Sequence, residues 1–288
     1  MTGRPVARRT RAPLPGRRTK RVRRASAGLS AARAGAALAM LVSAATIYGV
    51  GSSSAFDYAE LKVEGNKLTD ATTIESTLVA ARGQNLFGLS TAPLVAALEA
   101  IPTIRHAHIE VRLPATLGVT VEERQPVLIW HVGDRRLLAA GDGSLFELVG
   151  DATPPDVAAL PVVDDRRSTS AGLVIGARLD AVDLDAATRL ASLRPADLGS
   201  AATGLAISLT DENGFVVSAT PNAWSAVFGF YTPSLRTTEL IPGQVRLLRS
   251  LLEGREAAVD RVILASATDG AYTPRATPAS SAKPSRAP

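Results

Sequence analysis

Between Leu61 and Pro126 the hydrophobic and polar positions fall into a short, legible series of elements. Leu61 and Val63 alternate with Lys62 and Glu64, the period of a half-buried strand, and Gly65-Asn66 follows as a turn dipeptide. Ile74, Leu78 and Ala81 then recur at i, i+4 and i+7, which predicts a helix capped by Thr69 or Asp70 and stopped at Gly83. After Asn85-Leu86-Phe87, read as a core plug between helices, Ser90 or Thr91 caps a second helix. Its inward stripe is Leu94, Leu98 and Ile101, Pro93 sits in its first turn, and Pro102 ends it. Ile109, Val111 and Leu113 alternate with polar neighbours, as do Leu117, Val119 and Val121 beyond Pro114, so a hairpin closes the series. The order is β-α-α-β-β, one apolar sheet face under two helices.

The pattern changes after Pro126. Val127 to Trp130 is a fresh apolar run, followed by Arg136–Ala140, the turn Gly141-Asp142-Gly143-Ser144 and Leu145-Phe146, a hairpin by its turn chemistry. Thr153-Pro154-Pro155 reads as a loop, and Leu160-Pro161-Val162-Val163 as a short edge strand. A helix over Leu184–Leu193 takes Asp183 as its cap. Leu205–Leu209 and Phe215–Val217 form a second hairpin, and Trp224–Phe230 a strand. A helix over Pro242–Glu253 turns Val245, Leu248 and Leu252 inward, and Val259–Ala265 is the last strand. From Thr268 to Pro288 the chain is rich in Pro, Ser, Ala and Thr without apolar periodicity, so disorder is the expectation, as it is for the first 30 residues.

The segments VEGN (63–66), NLFGLS (85–90) and LEAIPTIRHAHIEVRLPATLGVTVEERQPV (98–127) together resemble a POTRA domain, and more narrowly that of the bacterial cell-division FtsQ/DivIB family. The resemblance covers roughly the stretch just described, and it implies that a β domain follows directly. The fold class expected is α+β: a bitopic membrane protein with one N-terminal transmembrane helix, a β-α-α-β-β POTRA domain and a mixed, strand-rich β domain. The divisions expected are a basic tail over 1–33, a membrane helix over 34–55, the POTRA domain over 56–126, the β domain over 127–267 and a disordered tail over 268–288.

Charge supports the anchor. Of 32 Lys and Arg side chains, eleven lie in the first 33 residues with no acid among them, leaving 21 basic against 27 acidic from residue 34 onward. The tail has no aromatic residue to interleave with its charge, which argues against a nucleic-acid surface. Ala34 to Ala55 is uncharged and would span roughly 33 Å as a helix. Its apolar content rests on Leu38, Met40, Leu41, Val42, Ile47, Tyr48 and Val50. The flanking arginines place the N-terminus in the cytoplasm and everything from Phe56 outside. Ser53-Ser54-Ala55 also has the small-x-small form of a signal-peptide cleavage site; the resemblance implies an uncleaved anchor.

Chemistry finds little footing. With no cysteine there is no thiolate nucleophile or thiolate metal site. His106 and His108 share a strand face and His131 lies further on, but solvent-facing strand residues explain them without zinc. Gly141-Asp142-Gly143 and Asp211–Gly214 lack the acidic spacing of a calcium loop. No nucleophile elbow, phosphate loop or dinucleotide fingerprint occurs. A protein without enzymatic activity or cofactor is expected, working by binding.

The resemblance implies what is bound: partners like FtsB, associated with FtsL, docking on the last strands of the β domain. Here that region is Val262, Ile263, Leu264 and Ala265 with the segment up to Tyr272, acting by strand addition. The family's Asp-Leu-Arg-like stretch is replaced by Ile263-Leu264-Ala265, so an arginine-dependent contact is not supported there. A POTRA face near the membrane is expected to recruit other division proteins, and the basic tail to lie on anionic inner-leaflet lipid. The alternatives are a POTRA-bearing secretion or translocation component and a cleaved, secreted binding protein.

Overall fold

The computed structural model describes residues 31–150, 153–221 and 224–275; the basic segment up to residue 30 and the tail from residue 276 lie outside the described residues. The chain divides into two units, one ending at Ser53 and one starting at Ser54. In the first, helix α1 (Ala31–Gly51) is about 31 Å long, buries no side chain and is long and apolar enough to cross a membrane. Leu38, Met40, Leu41, Val42, Ile47, Tyr48 and Val50 are all exposed along it. It begins before the expected Ala34, taking in Arg33, and stops at Gly51 rather than Ala55. The Ser52 hydroxyl donates to the Tyr48 carbonyl (2.8 Å) at that end, and Ser54–Phe56 forms a separate 3-10 turn.

In the second unit, β1 (Glu60–Glu64) runs parallel to β3 (Thr116–Glu123), and β2 (Ile104–Arg112) pairs antiparallel on the other side of β3. Helices α2 (Ala71–Thr77) and α3 (Ala92–Glu99) cover this sheet. Ile74, Leu78, Ala81, Leu86 and Leu98 pack on Ile104, Ile109, Leu117, Val119 and Val121 as one buried cluster. Asp70 is the N-cap of α2, and Thr91 that of α3, with Pro93 in the first turn as expected. The plug reading holds for Leu86 but not for Phe87, which is 59% exposed. Leu113, grouped with the inward positions, is also exposed, because it lies beyond the end of β2 in the hairpin turn.

A nine-stranded sheet follows, in the order β12-β11-β10-β9-β8-β7-β4-β5-β6. Its strands are β4 (Pro126–Val132), β5 (Arg135–Ala140), β6 (Leu145–Leu148), β7 (Val162–Asp165), β8 (Gly204–Thr210), β9 (Gly214–Thr220), β10 (Ser225–Gly229), β11 (Val259–Leu264) and β12 (Gly270–Pro274). A short helix, α4 (Pro155–Ala158), follows the expected loop and starts at its last residue. Helices α5 (Ala181–Ala191) and α6 (Ile241–Leu252) pack on one face through Leu184, Leu190, Ile241, Leu248 and Leu252. On the other face Ile129, Leu138, Ala140 and Phe146 receive Leu68 from the first subdomain, with Val149, Val157 and Leu160. Glu123 fixes the junction: its carboxylate accepts the N–H groups of Lys67, Leu68 and Thr69 at 2.7–2.9 Å, while Arg124 donates to Asp142 (2.6 Å).

Three expectations are corrected in this sheet. β7 is not an edge strand but lies parallel between β4 and β8, with Val163 fully buried. Helix α5 starts at Ala181 with Asp180 as its cap, whose carboxylate accepts from the N–H of Val182 (2.8 Å) and Asp183 (3.4 Å). Asp183 instead pairs with Arg167 (2.7 Å). The segment after residue 267, expected to be disordered, supplies β12.

Candidate partner-binding edge

β12 decides where a strand could be added. The expected template, Val262–Ala265, is not free: β11 pairs in parallel with β10 and antiparallel with β12. Val262 faces Tyr272, Ile263 faces Ala271, and Leu264 faces Gly270. Val262 and Leu264 are core residues, Ala265 is exposed just past the strand, and Ile263 stands half-exposed on the face away from α6. Among the described residues no strand pairs with the outer edge of β12, so the unpaired backbone groups belong to Gly270–Pro274, Tyr272 among them. The opposite edge is covered at the start of β6. Leu145 of β6 donates its N–H to Ala177 (2.9 Å) and accepts from Gly176 (2.7 Å).

The hairpin that presents β12 is held at three points. At its turn, the Ser266 hydroxyl accepts the N–H groups of Thr268 (3.2 Å) and Asp269 (2.9 Å), a local hydroxyl-to-backbone turn. Gly243, in the first turn of α6, lets that turn pack closely, since a Cβ there would stand 2.4 Å from the Ala267 Cβ. At the other end, Arg275 donates its N–H to Ala258 (2.7 Å) and its Nη2 to the Val259 carbonyl (3.2 Å).

The third point is a clamp on backbone carbonyls. Arg236 Nη2 donates to the carbonyls of Phe228 (2.7 Å) and Leu264 (2.8 Å), and its Nη1 donates to that of Ala265. Gln244, fully buried on α6, donates to the same Phe228 (3.1 Å) and Leu264 (3.0 Å) carbonyls and accepts from the Tyr231 hydroxyl (2.7 Å). Burial pushes the Tyr231 phenol well above its ordinary range, so it stays a donor, and Arg236 lies 5.9 Å from its ring centre. β10 and β11 are thus tied together where their parallel ladder ends. Neither Arg236 nor Gln244 stood out in the sequence, because a clamp on carbonyls requires no motif.

β12 itself carries no charged side chain, and its residues from Ala271 to Pro274 are exposed. Exposed edges are commonly guarded by charge, proline or a bulge. Here the guards lie at the ends, in Asp269, Pro274 and Arg275, and in the bulge opposite Val259–Arg261.

Elsewhere several charged side chains pair with one another, as Arg167 does with Asp165 and Asp183. A cavity of about 630 Å³ is lined by His131, Asp134, Arg135, Asp164, Arg166 and Arg167. Asp165 at its floor accepts from Trp130 Nε1 (3.0 Å), the Ser170 hydroxyl (2.6 Å) and Arg167 (2.8 Å). Burial alone would raise this carboxyl, but those bonds and the Arg167 charge bring it below its ordinary value. His131 lies beside Asp164 (3.0 Å), and His106 lies near Glu99 (3.8 Å) in the other sheet, so the histidines do not converge. Among the described residues no group of three His, Asp or Glu could hold a metal ion.

Residues 56–124 match the family model described as "POTRA domain, FtsQ-type". The "Cell division protein FtsQ" of Chloroflexus aurantiacus is 29% identical over 172 residues, covering 60% of this chain and 61% of that protein. Its namesake in Chloroflexus aggregans is 30% identical over the same length and shares, and that of Burkholderia pseudomallei is 30% identical over 119 residues, 41% of this chain and 46% of the relative. The fold defines a POTRA-bearing α+β protein with one N-terminal helix of membrane-spanning length. Over these stretches the chain is similar to proteins of the FtsQ/DivIB family. It spans about three fifths or less of the length of the curated relatives it matches.

Proposed function

We propose that this protein is a division scaffold without catalytic turnover, anchored by α1 with its N-terminus in the cytoplasm and its two folded domains outside. It links early and late division proteins at the septum by capturing FtsB- and FtsL-like partners. The observation that carries this reading is the outer edge of β12, uncharged, exposed and held rigid from both ends of its hairpin. Such an edge offers main-chain donors and acceptors to an extended segment, and Tyr272 and Ile263 flank it as side-chain contacts. The relatives' shared name supports the division role, and the eleven basic residues before Ala34 support the orientation and a contact with anionic lipid.

Two measurements test it. Depletion followed by microscopy should give filaments without septa; normal septation refutes the division role. Capture of FtsB- and FtsL-like proteins by the full-length chain should be lost on Ala271→Lys with Thr273→Lys, which place charge on the edge at exposed positions. Unchanged capture by that variant removes strand addition as the mechanism.

A further inference from the structure

The POTRA domain exposes three large hydrophobic side chains, Val79, Phe87 and Leu113, at 62%, 59% and 52%. The topology brings all three to one end. β1 and β3 run in parallel away from Glu60 and Thr116, and β2 returns to finish at Arg112, so Leu113 lies beside the start of β1. The Ala115 carbonyl in that turn accepts the N–H groups of Ala59 (2.9 Å) and Glu60 (3.1 Å). Val79 lies beyond the C-terminal end of α2, whose N-terminus is at the opposite end with Lys67 and Glu123. Phe87 precedes α3 and packs edge-on against Phe56 at 5.0 Å between ring centres, while the Leu86 N–H donates to the Phe56 carbonyl (2.8 Å). Single exposed hydrophobics are ordinary. Here every large one between Phe56 and Arg124 stands at the end where the chain arrives from α1, and none at the other.

The chain itself limits what can cover them. Only Ser52 to Ala55 separate α1 from Phe56, and that tether reaches at most about 17 Å fully extended. Arg82 and Arg112 accompany Val79 and Leu113 at this end, each paired with a carboxylate, Glu75 (3.3 Å) and Glu110 (2.8 Å), so it is the apolar tips that this end offers to a bilayer. Resting on the reading of α1 as a membrane anchor, we propose that Phe56, Val79, Phe87 and Leu113 form a shallow lipid-contacting foot. It seats this end of the POTRA domain among the headgroups of the bilayer that α1 crosses.

The chain has no cysteine, so each single-cysteine variant of the full-length protein carries one label. Phe87→Cys, Leu113→Cys and Lys67→Cys, with Leu41→Cys as the anchor control, are coupled to a fluorophore. Each is reconstituted into phosphatidylcholine vesicles with brominated or ordinary acyl chains. The Leu41, Phe87 and Leu113 labels should lose intensity to the brominated lipid. The Lys67 label, about 23 Å away along β3, should not. Loss at Leu41 alone, or equal loss at Lys67, overturns the proposal; the former leaves the hydrophobic end to a protein partner. A Leu41 label that keeps its intensity refutes the anchor reading itself, and the foot with it.

Discussion

Removing the Arg236 guanidinium tests the clamp that holds β10, β11 and β12 in register. Arg236→Met keeps the length of the side chain but deletes donors to the carbonyls of Phe228, Leu264 and Ala265. Hydrogen bonds from a charged group contribute about 1.5–3 kcal/mol each, so three in isolation would suggest well above 4 kcal/mol. Two facts lower that figure. Gln244 still donates to Phe228 and Leu264, and Ala265 is exposed, so its carbonyl can turn to water. The expected loss is therefore about 2–3 kcal/mol, or roughly 4–12 °C in melting temperature for a folded region of this size. Trp130 and Trp224 are both fully buried, so denaturant unfolding followed by tryptophan fluorescence on the full-length chain in detergent reads it directly. Because Gln244 and Arg236 share acceptors, the double variant with Gln244→Leu should lose more than the two single losses together, by about 1 kcal/mol or more. Amide exchange at Gly270–Pro274 should also accelerate in Arg236→Met before the rest of the sheet responds. A loss under about 0.5 kcal/mol, or strict additivity of the pair, would refute the shared clamp.

Two further outcomes follow from the same region and its neighbour. Gly243→Val places a side chain against Ala267 Cβ, 2.4 Å from the ideal Cβ, so the hairpin turn must shift and partner capture should fall while α6 still forms; helicity by circular dichroism with a pull-down separates the two effects. The folded-state pKa of Asp165 lies below its unfolded value near 4, so its contribution to stability is complete above that value and is lost as the pH falls through the folded pKa. Unfolding midpoints taken down through the acid range should drop for the natural chain and drop less steeply for Asp165→Asn, which starts lower at neutral pH; parallel curves would contradict the role of this carboxylate.

The POTRA domain was legible because its signals are redundant. Period-two strands, period-3.6 helices and prolines at the helix start and end all agree at Leu61–Val63, Ile74–Leu78, Pro93 and Pro102. β7 departs from the expected edge position because a central strand is expected to be continuously apolar, and Asp164-Asp165 break the run. Asp165 is tolerated there because Arg167, Ser170 and Trp130 satisfy it, a compensation spread over residues that no local window contains. β12 is hidden in the sequence for a related reason. Gly-Ala-Tyr-Thr-Pro has one large side chain and no periodicity, and it becomes a strand by pairing with β11 rather than by its own propensity. The expected edge was thus one strand too far inside, with Tyr272 the one residue of the expected set that lies on the actual edge. Phe87 could not be told from Leu86 in sequence, since both flank the same turn and only their side-chain directions differ.

The order of the sheet has a metric consequence. The POTRA junction meets it near β5 and β6, through Leu68, Phe146 and the Arg124–Asp142 pair, while β12 lies at the opposite margin. Eight inter-strand steps at about 4.8 Å set these roughly 38 Å apart. That reach is fixed by backbone hydrogen-bond spacing and not by any side chain, so point substitutions can weaken the grip at either margin without altering the interval. The sheet works as a ruler, and only the gain or loss of a whole strand could reset it.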